Sequence, residues 1–216
     1  MSSVTLVNSL SGLLILTSLL VIEVKQSRLS AMMYSIQSMV LVLIFLVLAY
    51  TTKTEQLYWW AASAFVTKVI LVPLVLYRAL SQAAEAEMPR NALGPTLSFI
   101  MAAVAVAVSF IVVNQIQLKA AVPFKPALAV SMAHFFFGEL CILTQRNLFK
   151  QVLGFCLMEN GSHLTLALLA YNAPELVEIG IATDAVFGVV IMVVLGNQIY
   201  KSLHTLDTAK LNTLKG

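Results

Sequence analysis

Six ionisable side chains lie inside apolar runs of the sequence. Glu159 and His163 sit in GFCLMENGSH, Asp184 in GIATDAVFGV, Lys68 in AFVTKVILVP, and His134 and Glu139 in SMAHFFFGEL. At the centre of a bilayer a charged side chain costs about 2.5–3.5 kcal/mol on insertion scales, so such groups face a bundle interior or a wet cavity and take a partner. Glu159 and Asp184 are the strongest candidates, because each is near the middle of its run with no Lys or Arg within one helical turn. A carboxyl group held between its neutral and ionised forms takes up and releases a proton, which is the chemistry of a proton path through a membrane.

The other groups admit more than one role. His163 follows Glu159 at i+4, on the same helix face, and Asn160 and Ser162 can anchor water or a neighbouring helix. Lys68 fits a fixed cation held against one carboxylate, a titrating relay group, or a side chain that snorkels to the surface. His134 is either a satisfied core histidine, the commoner case, or a relay. Glu139 lies some five residues, about 7–8 Å, from the end of its run, and either reaches headgroup water or serves the path. Glu175 and Glu178 are expected to be ordinary solvated acids at a helix start.

The elements that position these groups follow from composition. The 216 residues are 60% hydrophobic and 11% charged, against roughly 25% charged in a soluble domain. Crossing about 30 Å of hydrocarbon takes about 20 helical residues. Windows of that size fall at 3–23, 30–50, 57–80, 94–115, 126–144, 148–170 and 176–199. Pro89, Asn91, Gly94 and Pro95 precede the fourth span, Pro123 and Pro126 the fifth, and Asn172 to Pro174 separate the last two. The expectation is an all-α bundle of about seven spans in two membrane regions, four spans in 1–120 and three in 121–216. Pro73 falls inside the third span, where neighbouring helices can satisfy the carbonyl it frees.

Lys25, Arg28, Arg78, Arg90, Arg146, Lys150, Lys201, Lys210 and Lys215 fall on one side of such a bundle, and Lys53, Lys119 and Lys125 on the other. The positive-inside rule then puts the amino terminus outside and the carboxyl terminus in the cytoplasm. The first run lacks a basic leader and a cleavage site of small residues, so it is expected to stay as a span. A net charge of +3 scattered singly between apolar runs argues against nucleic-acid binding. No phosphate loop, nucleophile elbow, zinc-ligand helix or cysteine set for iron-sulfur or nickel is present. Cys141 and Cys156 are expected to be small buried hydrophobes. The chain holds no redox centre by itself, and within a redox enzyme it would be the membrane part.

Residues 144–195 resemble the K subunit of respiratory complex I and the matching small subunit of multisubunit cation/proton antiporters. The shared pattern is an Arg146-Asn147-Leu148 turn, then Gly154, Met158, Asn160 and Ser162 around a mid-membrane acid, then Asp184 followed by Ala185. Over its full length, with ENGSH, APELVEIGIATDA and the closing TLDTAKLNTLKG, the sequence resembles the hydrogenase-4 component E family, membrane subunits of formate hydrogenlyase-type nickel-iron hydrogenase complexes.

The resemblance implies a multi-pass subunit of a bacterial inner membrane arm. Its expected partners are antiporter-like membrane subunits that carry protons and a peripheral hydrogenase arm that holds the nickel-iron and iron-sulfur centres, this chain holding no cofactor. The leading expectation is that Glu159 and Asp184, with Lys68, His134, Glu139 and His163 as intermediates, help couple hydrogen evolution to proton translocation. The alternative is a structural spacer whose acids are hydrogen-bond partners between helices. Asp184 matches the second acid of the K-subunit pattern, but Cys156 stands where the first belongs. Glu159 lies three residues on, about 4.5 Å along the helix and about 60° around it, and is expected to take over that role from one turn away. A free-standing transporter would show an internal repeat with interrupted helices, and none is evident.

Overall fold

The computed structural model of the chain describes residues 3–82, 94–116, 123–173 and 175–212. Pro89, Arg90, Asn91, Lys119, Pro174 and Lys215 lie outside them. The helices are α1 (Ser3–Glu23), α2 (Ser27–Thr52), α3 (Gln56–Ala64), α4 (Val72–Gln82), α5 (Pro95–Gln115), α6 (Lys125–Thr144), α7 (Leu148–Leu169) and α8 (Glu175–Leu203). Between α3 and α4 runs a π-helical segment, Phe65–Leu71, so these three pieces form one continuous span. Seven helical stretches are long and apolar enough to cross a membrane. The described residues form no β-strand, as expected where every backbone group must be satisfied within its own segment.

Short links force neighbouring spans antiparallel. Only Gln145, Arg146 and Asn147 separate α6 from α7, and Asn147 explains the start of α7: its side chain accepts from the backbone N–H of Phe149 and of Lys150. This N-cap satisfies two donors that the first turn leaves open. The segment that follows α8 returns to the same turn. Leu148 N–H donates to the Leu206 carbonyl at 3.1 Å, and Thr208 N–H to the Arg146 carbonyl at 2.9 Å. The buried Lys150 ammonium donates to the Ile22 carbonyl at 2.7 Å, and Gln145 Nε2 to the same oxygen at 3.3 Å. Both serve the carboxyl end of α1, where open carbonyls and the helix dipole favour a cation.

Pro73 has the effect expected of it. With no N–H it cannot donate to the Val69 carbonyl, and Ser35 Oγ of α2 donates to that oxygen instead at 2.9 Å. One residue earlier, Val72 N–H reaches back to Thr67, five residues away, so the turn before the proline is widened.

The core sits where α6 and α7 cross α1, α2 and the third span. Helices approach closely in a membrane where side chains are small. A Cβ on Gly161 would lie 2.5 Å from Phe135 N and 2.9 Å from Phe135 Cα, and one on Gly154 2.9 Å from the Gly138 carbonyl oxygen. Gly138, in turn, leaves no room for a Cβ beside the Met158 backbone. These glycines seal α6 to α7 within the chain, so Gly154 and Gly161 are not free to dock a neighbouring subunit. By contrast, α5 and α8 are peripheral, with long exposed apolar faces such as Phe99, Val104 and Ile111, and Phe187, Ile191 and Leu195.

Replacing Gly161 with Leu should therefore cost at least about 1–3 kcal/mol, because the obstructing atoms are backbone. Thermal melts of the detergent-solubilised chain should show a clearly lower midpoint. Gly180→Leu should melt like the parent, since nothing lies within 4 Å of that position.

Candidate functional site

The widened turn ahead of Pro73 carries Lys68, whose side chain is 1% exposed and points into the bundle. Its Nζ donates to Glu159 Oε1 at 2.6 Å and to Asn160 Oδ1 at 2.8 Å. Both acceptors belong to α7, on consecutive residues. Counted at 1.5 Å per residue from Leu148, Glu159 is about 16 Å into its helix, close to mid-membrane. Glu159 keeps 15% of its side chain exposed while Lys68 keeps 1%, so the pair is closed on the lysine side and open on the acid side.

The polar contacts continue past Asn160. Asn160 Nδ2 donates to Gln37 Oε1 at 2.9 Å and to Ser38 Oγ at 3.3 Å, both on α2. Gln37 Nε2 meets His134 Nε2 of α6 at 3.1 Å, and His134 Nδ1 meets Ser18 Oγ of α1 at 2.7 Å. Ser18 Oγ lies 2.5 Å from the Leu14 carbonyl oxygen, to which it donates. Asn160, Gln37, Ser38, His134 and Ser18 are each at most 1% exposed. The string thus links the third span, α7, α2, α6 and α1 through their interiors, and each of its own side chains has a hydrogen-bond partner, as burial demands.

Of the residues expected from sequence, Lys68, Glu159 and His134 lie on this string, and Asn160 is its central link. His163 is buried one turn beyond Glu159, between the rings of Phe45 and Trp60, with centroids 4.8 and 5.3 Å away. Its ring nitrogens have no hydrogen-bond partner among the described residues. Glu139 stands apart, half-buried in a groove between α5 and α6 lined by Met101, Val104, Val108, Phe136 and Leu143. Asp184 lies on α8, and its side chain, like those of Glu175, Glu178 and Ala185, is outside the described residues. Its neighbour Thr183 lines an open groove of about 620 Å³ between α8 and the third span. Ser162 is exposed and donates only to the Met158 carbonyl of its own helix.

Cys156, at the position of the expected acid, is fully buried and free. Tyr34 of α2 is also fully buried, and its hydroxyl has no hydrogen-bond partner among the described residues. Gln37, Ser38, Ser18 and Tyr34 were not singled out from the sequence. The signal was there for Gln37, a primary amide mid-span in YSIQSMVLV, since an amide in hydrocarbon needs a partner much as a charge does. The chain has only two cysteines, and among the described residues no three His, Cys, Asp or Glu side chains gather as a metal site. Those residues do not fit a nickel-iron or iron-sulfur centre, which needs several thiolates.

A helical bundle with a buried ion pair at mid-membrane defines a multi-pass membrane protein, and its last helices point to a class. Residues 126–216 match the family described as NADH-ubiquinone/plastoquinone oxidoreductase chain 4L. Over its full length the chain is 51% identical across 217 residues to hydrogenase-4 component E of Escherichia coli strain K12 and, equally, of Shigella flexneri, covering 100% of each. An uncharacterized protein of Mycobacterium tuberculosis, Rv0085, is 23% identical over 212 residues, 97% of this chain and 96% of that one. No solved structure matches it significantly. The chain belongs to the hydrogenase-4 component E family.

Removing one partner of a buried ion pair strands the other charge and costs about 3–5 kcal/mol. Lys68→Met should destabilise the chain on that scale, and Glu159→Gln by less, because Glu159 keeps an exposed edge. In a double-mutant cycle followed by unfolding in bilayer-mimicking micelles, Lys68→Met with Glu159→Gln should be less damaging than the sum of the single changes.

Proposed function

We propose that the chain is a membrane-arm subunit of a nickel-iron hydrogenase complex of the hydrogenase-4 type, and that Glu159 works with Asp184 in a path that couples hydrogen evolution to proton translocation. The observation that carries this reading is the Lys68–Glu159 contact at 2.6 Å, deep in the membrane and open only on the acid side. An ammonium and a carboxylate in contact can share one proton and become a neutral amine and a neutral acid. That exchange removes two charges from a low-dielectric interior, so its balance responds to any charge that approaches from outside. A carboxyl group with one exposed edge can then trade protons with a neighbouring helix or subunit.

The acid-bearing α8 packs against α7 and the third span, the two elements that hold the pair. The exposed apolar faces of α5 and α8 suit antiporter-like membrane subunits or lipid, and the basic end of the bundle suits a peripheral arm in the cytoplasm. This orientation, with the amino terminus outside, and residence in a bacterial inner membrane belong to the same proposal. The nickel-iron and iron-sulfur chemistry is assigned to the partner subunits.

A second reading, that of a structural spacer, draws on the same ion pair, because a closed contact with well-placed partners can simply fasten helices together. Transport separates the two. Glu159→Gln and Asp184→Asn, introduced singly into the complex in sealed vesicles, should leave hydrogen evolution intact and abolish proton movement reported by a pH-sensitive dye. Undiminished proton movement in both variants would establish the spacer reading.

A further inference from the structure

The string from Lys68 to Ser18 has a direction. A lysine ammonium has three donors and no acceptor. It therefore turns the oxygen of the Asn160 amide toward itself, leaving Nδ2 to face α2. Asn160 Nδ2 then requires an acceptor, which orients Gln37 with Oε1 toward Asn160 and Nε2 toward His134. Ser38 Oγ, 3.4 Å from the same Gln37 oxygen, supports that orientation.

Gln37 Nε2 can only donate, so His134 Nε2 must accept through its lone pair. The ring proton is then on Nδ1, which donates to Ser18 Oγ, and the serine hydroxyl donates in turn to the Leu14 carbonyl. Every bond in the string points away from Lys68.

Directed hydrogen bonds of this kind do not make a proton wire. Conduction requires each link to accept a proton on one side and release one on the other. A primary amide has no proton to release in the physiological range, and two amides, Asn160 and Gln37, stand in series between Lys68 and His134.

We infer that Asn160 and Gln37 form a proton-insulating relay that fixes His134 as its neutral Nδ1–H tautomer and aligns their dipoles on the Lys68 ammonium, confining proton exchange to the Lys68–Glu159 pair. His134 is thus a positioning residue. It orients Gln37, Gln37 orients Asn160, and Asn160 holds Lys68 against Glu159. Chains of aligned hydrogen bonds polarise one another, so the string steadies the ammonium without offering the proton an exit toward α1.

This deepens the proposed function, resting on it for transport alone, and two readouts separate them. The first is histidine ¹⁵N NMR of the full chain in lipid bilayers, with the three histidines assigned by single replacements. His134 should show a protonated Nδ1 and an unprotonated Nε2, and a protonated Nε2 or an imidazolium would overturn the inference. The second is His134→Gln in the vesicle assay. Glutamine can accept from Gln37 and donate to Ser18 but cannot be protonated, so proton movement should be unchanged. Loss of proton movement in that variant, with hydrogen evolution retained, would make His134 a relay and refute the insulator. Failure of Glu159→Gln to affect transport would overturn the coupling role and leave the tautomer assignment standing.

Discussion

The ammonium of Lys68 is the cation around which this bundle is arranged. A charge at that depth costs several kcal/mol unless it is matched, and the match requires atoms from more than one helix. Glu159 supplies the opposite charge and Asn160 an oxygen, both from α7, while α2 supplies the groups that keep Asn160 facing the right way. The surrounding apolar packing can vary without changing this contact, but the contact cannot be kept if any of the three spans shifts by a turn.

The scaffold is built to prevent such shifts. Gly138, Gly154 and Gly161 let α6 and α7 meet backbone to backbone, so their register is set by sterics. The third span gets its position from a local irregularity. Pro73 removes one backbone donor, the preceding turn widens, and Ser35 takes up the freed carbonyl, tying the span to α2 beside the turn that bears Lys68. π-helical turns occur often at functional sites because they place one residue outside the regular helical pattern.

Much of the architecture was legible in the sequence, for a plain physical reason. A span needs about 20 apolar residues, and breakers such as Pro95 and Pro126 mark where spans open, so the expected windows coincide closely with the helices observed. Lys68 and Glu159 were legible as individual anomalies. Their pairing was not, because 91 residues separate them and nothing along one helix reveals which other helix it faces. Gln37, unlike Asn160, has no acid or base beside it in the sequence to mark it, although the string depends on both amides. Glu139 shows the converse: it was as conspicuous in the sequence as His134, yet it faces an outer groove while His134 joins the interior. Periodicity identifies a helix, whereas the facing of each side chain is decided by tertiary packing.

The return of residues 206–208 to the Arg146–Leu148 turn has a mechanical meaning. Two backbone hydrogen bonds join Leu148 and Arg146 to the segment that follows α8, so α8 is anchored at both its ends: by chain connectivity where it follows α7, and by this clasp where it closes. The clasp grips the first turn of α7, the helix that bears Glu159 about 16 Å further along. The segment that follows α8 and the helix that bears Glu159 are thus fastened together at the start of α7, and the two cannot part there without breaking these bonds.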